Sequence, residues 1–148
     1  MKDYNLQRFI KAQNNDYEMA LAEIRKGRKR SPWIWYVFPQ FRVFAHSHIA
    51  EYYGIEDVGE AEAYLQHPIL GRRIREISEA LLQHKNKDIK EIFGELDAGK
   101  VRSCMTMFDY LSPNDVFGQV LDTFYGGKRG GRTLKFFNSE CLFWLQLK

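Results

Sequence analysis

Cysteine is scarce in this chain, and its spacing carries no pattern. Cys104 and Cys141 are the only two. They have no metal spacing and no disulfide framework, which excludes a stapled secreted scaffold and a zinc module. Both fall at apolar positions of helical patterns, so buried thiols are expected. The four histidines, His46, His48, His67 and His84, do not cluster, and no metal or other cofactor is expected. Long apolar runs are also missing. No stretch approaches the length that spans a bilayer. Met1-Lys2-Asp3-Tyr4-Asn5 lacks the apolar centre of a secretory leader, so a cytoplasmic location is expected. Charge of one sign is not in large excess. A net +3 permits a small anionic ligand, and nucleic acid is not expected as a partner. Nucleophile elbow, phosphate-loop lysine and dinucleotide fingerprint are all absent.

What is present is helical periodicity. Leu6, Phe9 and Ile10 predict a short helix over residues 4–13, interrupted at Asn14-Asn15. Asp16 is expected to cap the next one, with Tyr17, Ala20, Leu21 and Ile24 inward and Gly27 at its end. Ile69, Leu70, Ile74, Ile77, Leu81 and Leu82 form the longest apolar stripe, opened by the His67-Pro68 step. Val101, Cys104, Met105, Phe108 and Leu111 mark another helix, and Val116, Val120, Leu121 and Phe124 the one after it. Thr133 is expected to cap the last helix. The fold expected is mainly α: a single domain over residues 1–148 with about seven to nine short helices. A small β element around Tyr36–Val43 is allowed for.

One stretch fits neither period. Arg25-Lys26-Gly27-Arg28-Lys29-Arg30 is followed at once by Ser31-Pro32-Trp33-Ile34-Trp35-Tyr36-Val37-Phe38-Pro39-Gln40. The two prolines are expected to hold the segment extended. Trp33 and Trp35 would then face opposite sides, one toward the core and the other toward a site. Packing accounts for most of these aromatics, and the cations suit a helix C-terminus. An indole beside Arg28, Lys29 and Arg30 also suits a flat anionic ligand.

Two further features carry chemistry. Asp97, Lys100, Arg102, Ser103 and Thr106 form a polar stripe beside the apolar one. It reads either as a solvated face with an ion pair or as the edge of a cavity. The loop Gly126-Gly127-Lys128-Arg129-Gly130-Gly131-Arg132 has the amides and cations to hold a phosphate, but it follows no strand, and a flexible surface turn is the favoured reading.

Several of these residues resemble a known family. They include Leu6-Gln7-Arg8-Phe9 with Ala12-Gln13, and the run from Trp33 to Gln40. Tyr53-Gly54-Ile55, Ala63-Tyr64-Leu65 and His67-Pro68 with Leu70-Gly71 follow. Ile92-Phe93-Gly94 before Asp97 and Lys100, then Met105-Thr106 with Phe108, and Tyr125-Gly126-Gly127 before Thr133-Leu134 complete the set. The pattern, from about residue 4 to 135, resembles the bacterial family filed as domain of unknown function 1810. The resemblance implies a small, mainly helical domain with no established activity. Pro32 stands where similar sequences often have histidine. Residues 138–148, with Phe143, Trp144 and Leu145, extend past the family's usual end and are expected to be a packing or oligomerisation element. A fainter similarity, in the order of helices and the basic Gly turn, is to the N-glycosidases that process ADP-ribose and riboflavin-pathway intermediates. The acidic residue of that family's first helix has only Glu18 and Glu23 as counterparts here.

These readings give a site expectation. A nucleotide-like or ADP-ribose-like ligand would stack on Trp33 or Trp35 and meet phosphate through Arg28, Lys29 and Arg30. Gln40, His67 and Ser103 would line the pocket. Asp97 and Lys100 would be the catalytic pair if an N-glycosidic bond is hydrolysed, with the carboxylate assisting water. The alternative is a non-catalytic interaction module that self-associates through its aromatic tail.

Overall fold

The structure, a computed structural model, describes residues 3–147 and the side chains of residues 3–140. Among these, the elements in order are α1 (Gln7–Arg25), α2 (Ile34–Val37), a 3-10 turn (Arg42–Phe44), α3 (His48–Tyr52), α4 (Val58–Gln66) and α5 (Pro68–Leu82). α6 (Ile89–Phe93), α7 (Glu95–Leu111), α8 (Val116–Tyr125) and α9 (Gly131–Leu147) follow. The mainly helical expectation holds. The β element reduces to one parallel bridge between Phe41 and Ile55, with Arg42 N–H donating to Ile55 O at 2.7 Å. No helix of the described residues is long and apolar enough to cross a membrane.

The expected break at Asn14-Asn15 does not occur. Both asparagines lie exposed on the outer face of α1, while Phe9, Gln13, Tyr17, Ala20, Leu21 and Ile24 are buried along its inner face. Burial of that continuous stripe outweighs the weak local preference of two asparagines. Asp16 caps nothing and instead accepts a hydrogen bond from Tyr36 Oη. α1 packs on α5, α5 on α8, and α8 on α7, with Leu70, Ile74, Ile77 and Leu81 of α5 all buried between them. Each such side chain contributes about 1.5–3 kcal/mol on leaving water. Gly71 allows α5 to start close against α4, since a Cβ there would lie 2.1 Å from Leu65 O. Most turns are capped as side-chain chemistry dictates: Ser47, Asp57, Asp88 and Asp115 each accept a backbone N–H at the start of a helix.

The Trp segment is not extended. Residues 34–37 close one helical turn between Pro32 and Pro39. Positions i and i+2 on a helix differ by about 200°, so the two indoles still diverge. Trp33 is fully buried, with Phe93 edge-on at 6.4 Å and Phe38 at 6.1 Å, and Trp35 is half-buried at the surface.

Glu23 of α1 anchors this segment. Its carboxylate accepts from Arg30 N–H (2.7 Å), Ser31 N–H (3.0 Å), Ser31 Oγ (2.6 Å) and Trp33 Nε1 (2.9 Å). Burial pushes the Glu23 carboxyl up, but these bonds to the charged form outweigh it and hold the group below its ordinary value of 4.5. A carboxyl depressed on folding adds stability that is complete above its ordinary value. That stability is lost as pH falls through the lowered folded value. Glu23→Gln is therefore expected to cost about 1–3 kcal/mol at neutral pH and progressively less in acid. Melting temperatures measured from pH 7 downward should converge for the two proteins. A constant gap across that range would refute the anchor's ionic role.

Candidate functional site

α7, the start of α9 and the segment from Trp35 through α3 enclose a cleft of about 760 Å³. Trp35, Gln40, Phe44 and Ala50 form one wall, and Gly99, Lys100, Arg102 and Ser103 of α7 form the second. Gly130, Gly131, Arg132, Thr133 and Lys135 form the third, with His46 and Ser47 at the edge. The third wall is placed by aromatic packing: Phe41 meets Phe136 at 4.2 Å and Phe137 at 5.3 Å, and Tyr110 stacks on Phe137 at 4.0 Å.

Four cations line the cleft, Lys100, Arg102, Arg132 and Lys135, and no carboxylate does so among the described residues. Lys100 Nζ stands 5.9 Å from the Trp35 ring, and the Arg132 guanidinium lies over Phe44 at 4.7 Å. Arg102 is fixed from behind, its Nη2 donating to Arg129 O at 3.0 Å. Arg129 is itself paired with Asp109 at 3.2 Å and donates from Nη1 to Gly127 O at 2.9 Å. Its guanidinium holds its proton more tightly than usual, chiefly through the Asp109 hydrogen bond. Thr106 Oγ1 donates to Arg102 O at 2.7 Å and accepts from Gly130 N–H at 2.9 Å. The glycine loop is thus pinned to α7 rather than swinging free. Gln40 uses its backbone carbonyl to accept from Ile55 N–H at 2.9 Å, and the residue lines the cleft.

The structure brings Trp35, Gln40, Lys100 and Ser103 together and leaves the other expected site residues apart. Trp33 lies in the core with no surface for a ligand. Arg28 and Arg30 are exposed at the end of α1, away from the cleft lining, because that end docks on α6 through Lys29 N–H to Ile92 O at 2.7 Å. Lys29 is occupied: its ammonium pairs with Asp97 at 3.0 Å and lies 5.2 Å from the Trp33 ring. His67 caps α5, its Nδ1 accepting from Ile69 N–H at 3.1 Å and from Leu70 N–H at 3.4 Å. Asp97 sits behind the cleft between two lysines, with Lys100 at 3.1 Å. Cys104 is buried, and burial pushes its thiol well above its ordinary value, so it offers no nucleophile. Cys141 and the aromatic tail at Phe143, Trp144 and Leu145 lie outside the described side chains.

The residues missed were those of the Phe44–Ala50 segment and Lys135. Their positions depend on the Phe41–Ile55 bridge and on aromatic docking of α9, neither of which leaves a local sequence signal. Arg102 and the Gly130-Gly131-Arg132 turn were visible as separate features, without an indication that they meet.

A second concavity, of about 540 Å³, surrounds Arg8 at the start of α1. Arg8 is buried and fully engaged. It pairs with Glu60 at 2.8 Å and donates to the carbonyls of Asn5, Tyr52 and Gly54. Its charge is consumed in tying α1 to α3 and α4.

The architecture is that of a small, mainly helical domain with a cationic, aromatic-walled cleft. The chain belongs to the family described as protein of unknown function (DUF1810), whose model matches residues 3–137. It is similar to the conserved hypothetical protein Rv1873 from Mycobacterium tuberculosis, known from its crystal structure. Identity is 41%, covering 89% of this chain and 95% of that one, with a TM-score of 0.87. No curated protein matches. The likeness to N-glycosidases is not shown by either match.

Proposed function

We propose that this domain binds a small anionic, nucleotide-like or ADP-ribose-like ligand in the 760 Å³ cleft. The observation that carries the reading is the meeting of the half-buried Trp35 indole, four cations and no acidic liner on one concave surface. Ligand cavities characteristically join aromatic walls to a few placed polar groups. A flat ring would stack on Trp35, and the Gln40 amide would hydrogen-bond a base or ribose edge. Lys100 and Arg102 would meet the anionic part, the guanidinium with its fixed fork and the ammonium as a point charge.

The geometry favours binding over hydrolysis. Asp97 is the expected water-activating carboxylate, but it is bridged between Lys29 and Lys100 at 3.0 and 3.1 Å and does not line the cleft. Each of its carboxylate oxygens is already engaged by an ammonium, Oδ2 by Lys29 and Oδ1 by Lys100, so neither is turned to a water in the cleft.

Thermal melting against nucleoside phosphates tests the reading. A ligand at roughly 100 times its Kd stabilises by about 2.7 kcal/mol. Trp35→Ala is expected to keep the fold and weaken binding by about 1–3 kcal/mol, a loss of about 5- to 150-fold, as base–aromatic contacts do elsewhere. Equal stabilisation of wild type and Trp35→Ala by the same ligand would overturn it.

A further inference from the structure

We propose that the first turn of α9 is a phosphoryl subsite, formed by the backbone amides of Gly131, Arg132 and Thr133 together with Arg102 and the Thr133 hydroxyl. The inference rests on the cleft being a ligand site and assigns where the anionic part of that ligand sits.

The first observation is the helix itself. α9 has 17 residues, and its first helical bond is Leu134 N–H to Gly130 O at 3.1 Å. The three amides before Leu134 precede that bond, and their residues line the cleft, where the helix dipole favours negative charge. Gly131 has nothing within 4 Å of the position its Cβ would take, so there is room over the turn for an anion. Thr133 does not cap this end as its sequence position suggested, because it lies inside the helix.

The second observation is independent of the helix. Among the described residues, the buried side-chain polar atoms without a hydrogen-bond partner are two, Arg102 Nε and Thr133 Oγ1. Both belong to residues lining this cleft, and Thr133 is only 1% exposed. Buried polar groups in folded proteins are almost always satisfied, and unsatisfied ones call for an ion, a water or a ligand. Here a buried donor on α7 and a buried hydroxyl on α9, both in residues that line one cleft, are left without a partner. The surrounding groups are already fixed: Thr106 holds Gly130, and Arg129 O holds Arg102 Nη2. A tetrahedral oxyanion suits this set, which combines several N–H donors, a hydroxyl and a guanidinium edge with no carboxylate to repel it.

Amide-resolved NMR on the full chain, titrated with inorganic phosphate, tests the subsite. The Gly131, Arg132 and Thr133 amides are expected to shift saturably with phosphate and not with chloride at matched ionic strength. Thr133→Val removes the open hydroxyl without changing shape. It is expected to weaken phosphate binding tenfold or more while the free protein melts at the same temperature or higher. Arg102→Lys keeps the charge but loses Nε, and should weaken phosphate similarly. Wild-type phosphate affinity in both variants would overturn the subsite. So would phosphate shifts that are linear and scattered over surface lysines. Adenosine separates this inference from the reading beneath it. If adenosine shifts the Trp35 indole signal while phosphate leaves α9 unmoved, the subsite fails and the cleft stands. If phosphate moves α9 and adenosine leaves Trp35 unmoved, the subsite stands and the flat-group reading fails. Adenosine monophosphate binding more tightly than phosphate and adenosine alike would place both groups on one ligand and support both readings.

Discussion

Replacing Glu60 by alanine is expected to cost about 3–5 kcal/mol of folding stability. Arg8 and Glu60 are paired at 2.8 Å with side chains only 4% and 2% exposed. Removing the carboxylate would leave a guanidinium buried among backbone carbonyls with no counter-charge. It would also free Glu56 N–H, which donates to Glu60 Oε1 at 2.7 Å. Arg8 Nε and Nη2 reach the carbonyls of Tyr52 and Gly54, so the variant loosens the path between α3 and α4 as well as one ion pair. Chemical denaturation measures this as a lower midpoint at unchanged slope. A loss below about 1 kcal/mol is the behaviour of a solvated surface pair and would contradict the structural role given to Arg8.

Trp33→Ala is expected to cost a similar amount, about 3–5 kcal/mol, by opening a large cavity in the core. Trp33 is fully buried and touches Phe38 and Phe93, and its Nε1 donates to Glu23 at 2.9 Å. The variant therefore loses packing and also one of the four bonds that hold the Glu23 carboxylate. Trp35→Ala, two residues on, is expected to cost far less stability, since that indole is half-buried at the cleft wall. The two variants measured side by side separate a core residue from a residue of the cleft wall. A Trp33→Ala protein as stable as wild type would contradict the assignment of the two indoles.

Much of the fold was readable because its helices bury long stripes at helical spacing, as α5 does with Leu70, Ile74, Ile77 and Leu81. The run through Asn14-Asn15 was not readable. Its continuity is decided by what α1 packs against, and local preference points the other way. The divergence of Trp33 and Trp35 was legible from their spacing, although the backbone between them is helical rather than extended. The site was legible only in pieces. Lys100 and Ser103 share a helix face and could be grouped from sequence. Trp35 and Gln40 reach them across the bridge at Phe41, and Gly130 to Lys135 through the Phe136 and Phe137 contacts. Arg28 and Arg30 misled because a dense basic run beside tryptophans reads as a phosphate site. In the fold that run terminates α1, and the cleft draws its cations from α7 and α9.

The central claim is that a flat anionic ligand occupies the cleft between Trp35 and the start of α9. A crystal structure of the protein grown with a saturating nucleoside monophosphate tests it most directly. The account predicts the base stacked on Trp35 and the phosphate within hydrogen-bond distance of the α9 amides and Arg102. A nucleotide bound beside Arg8, or an empty cleft at saturating ligand, would contradict it.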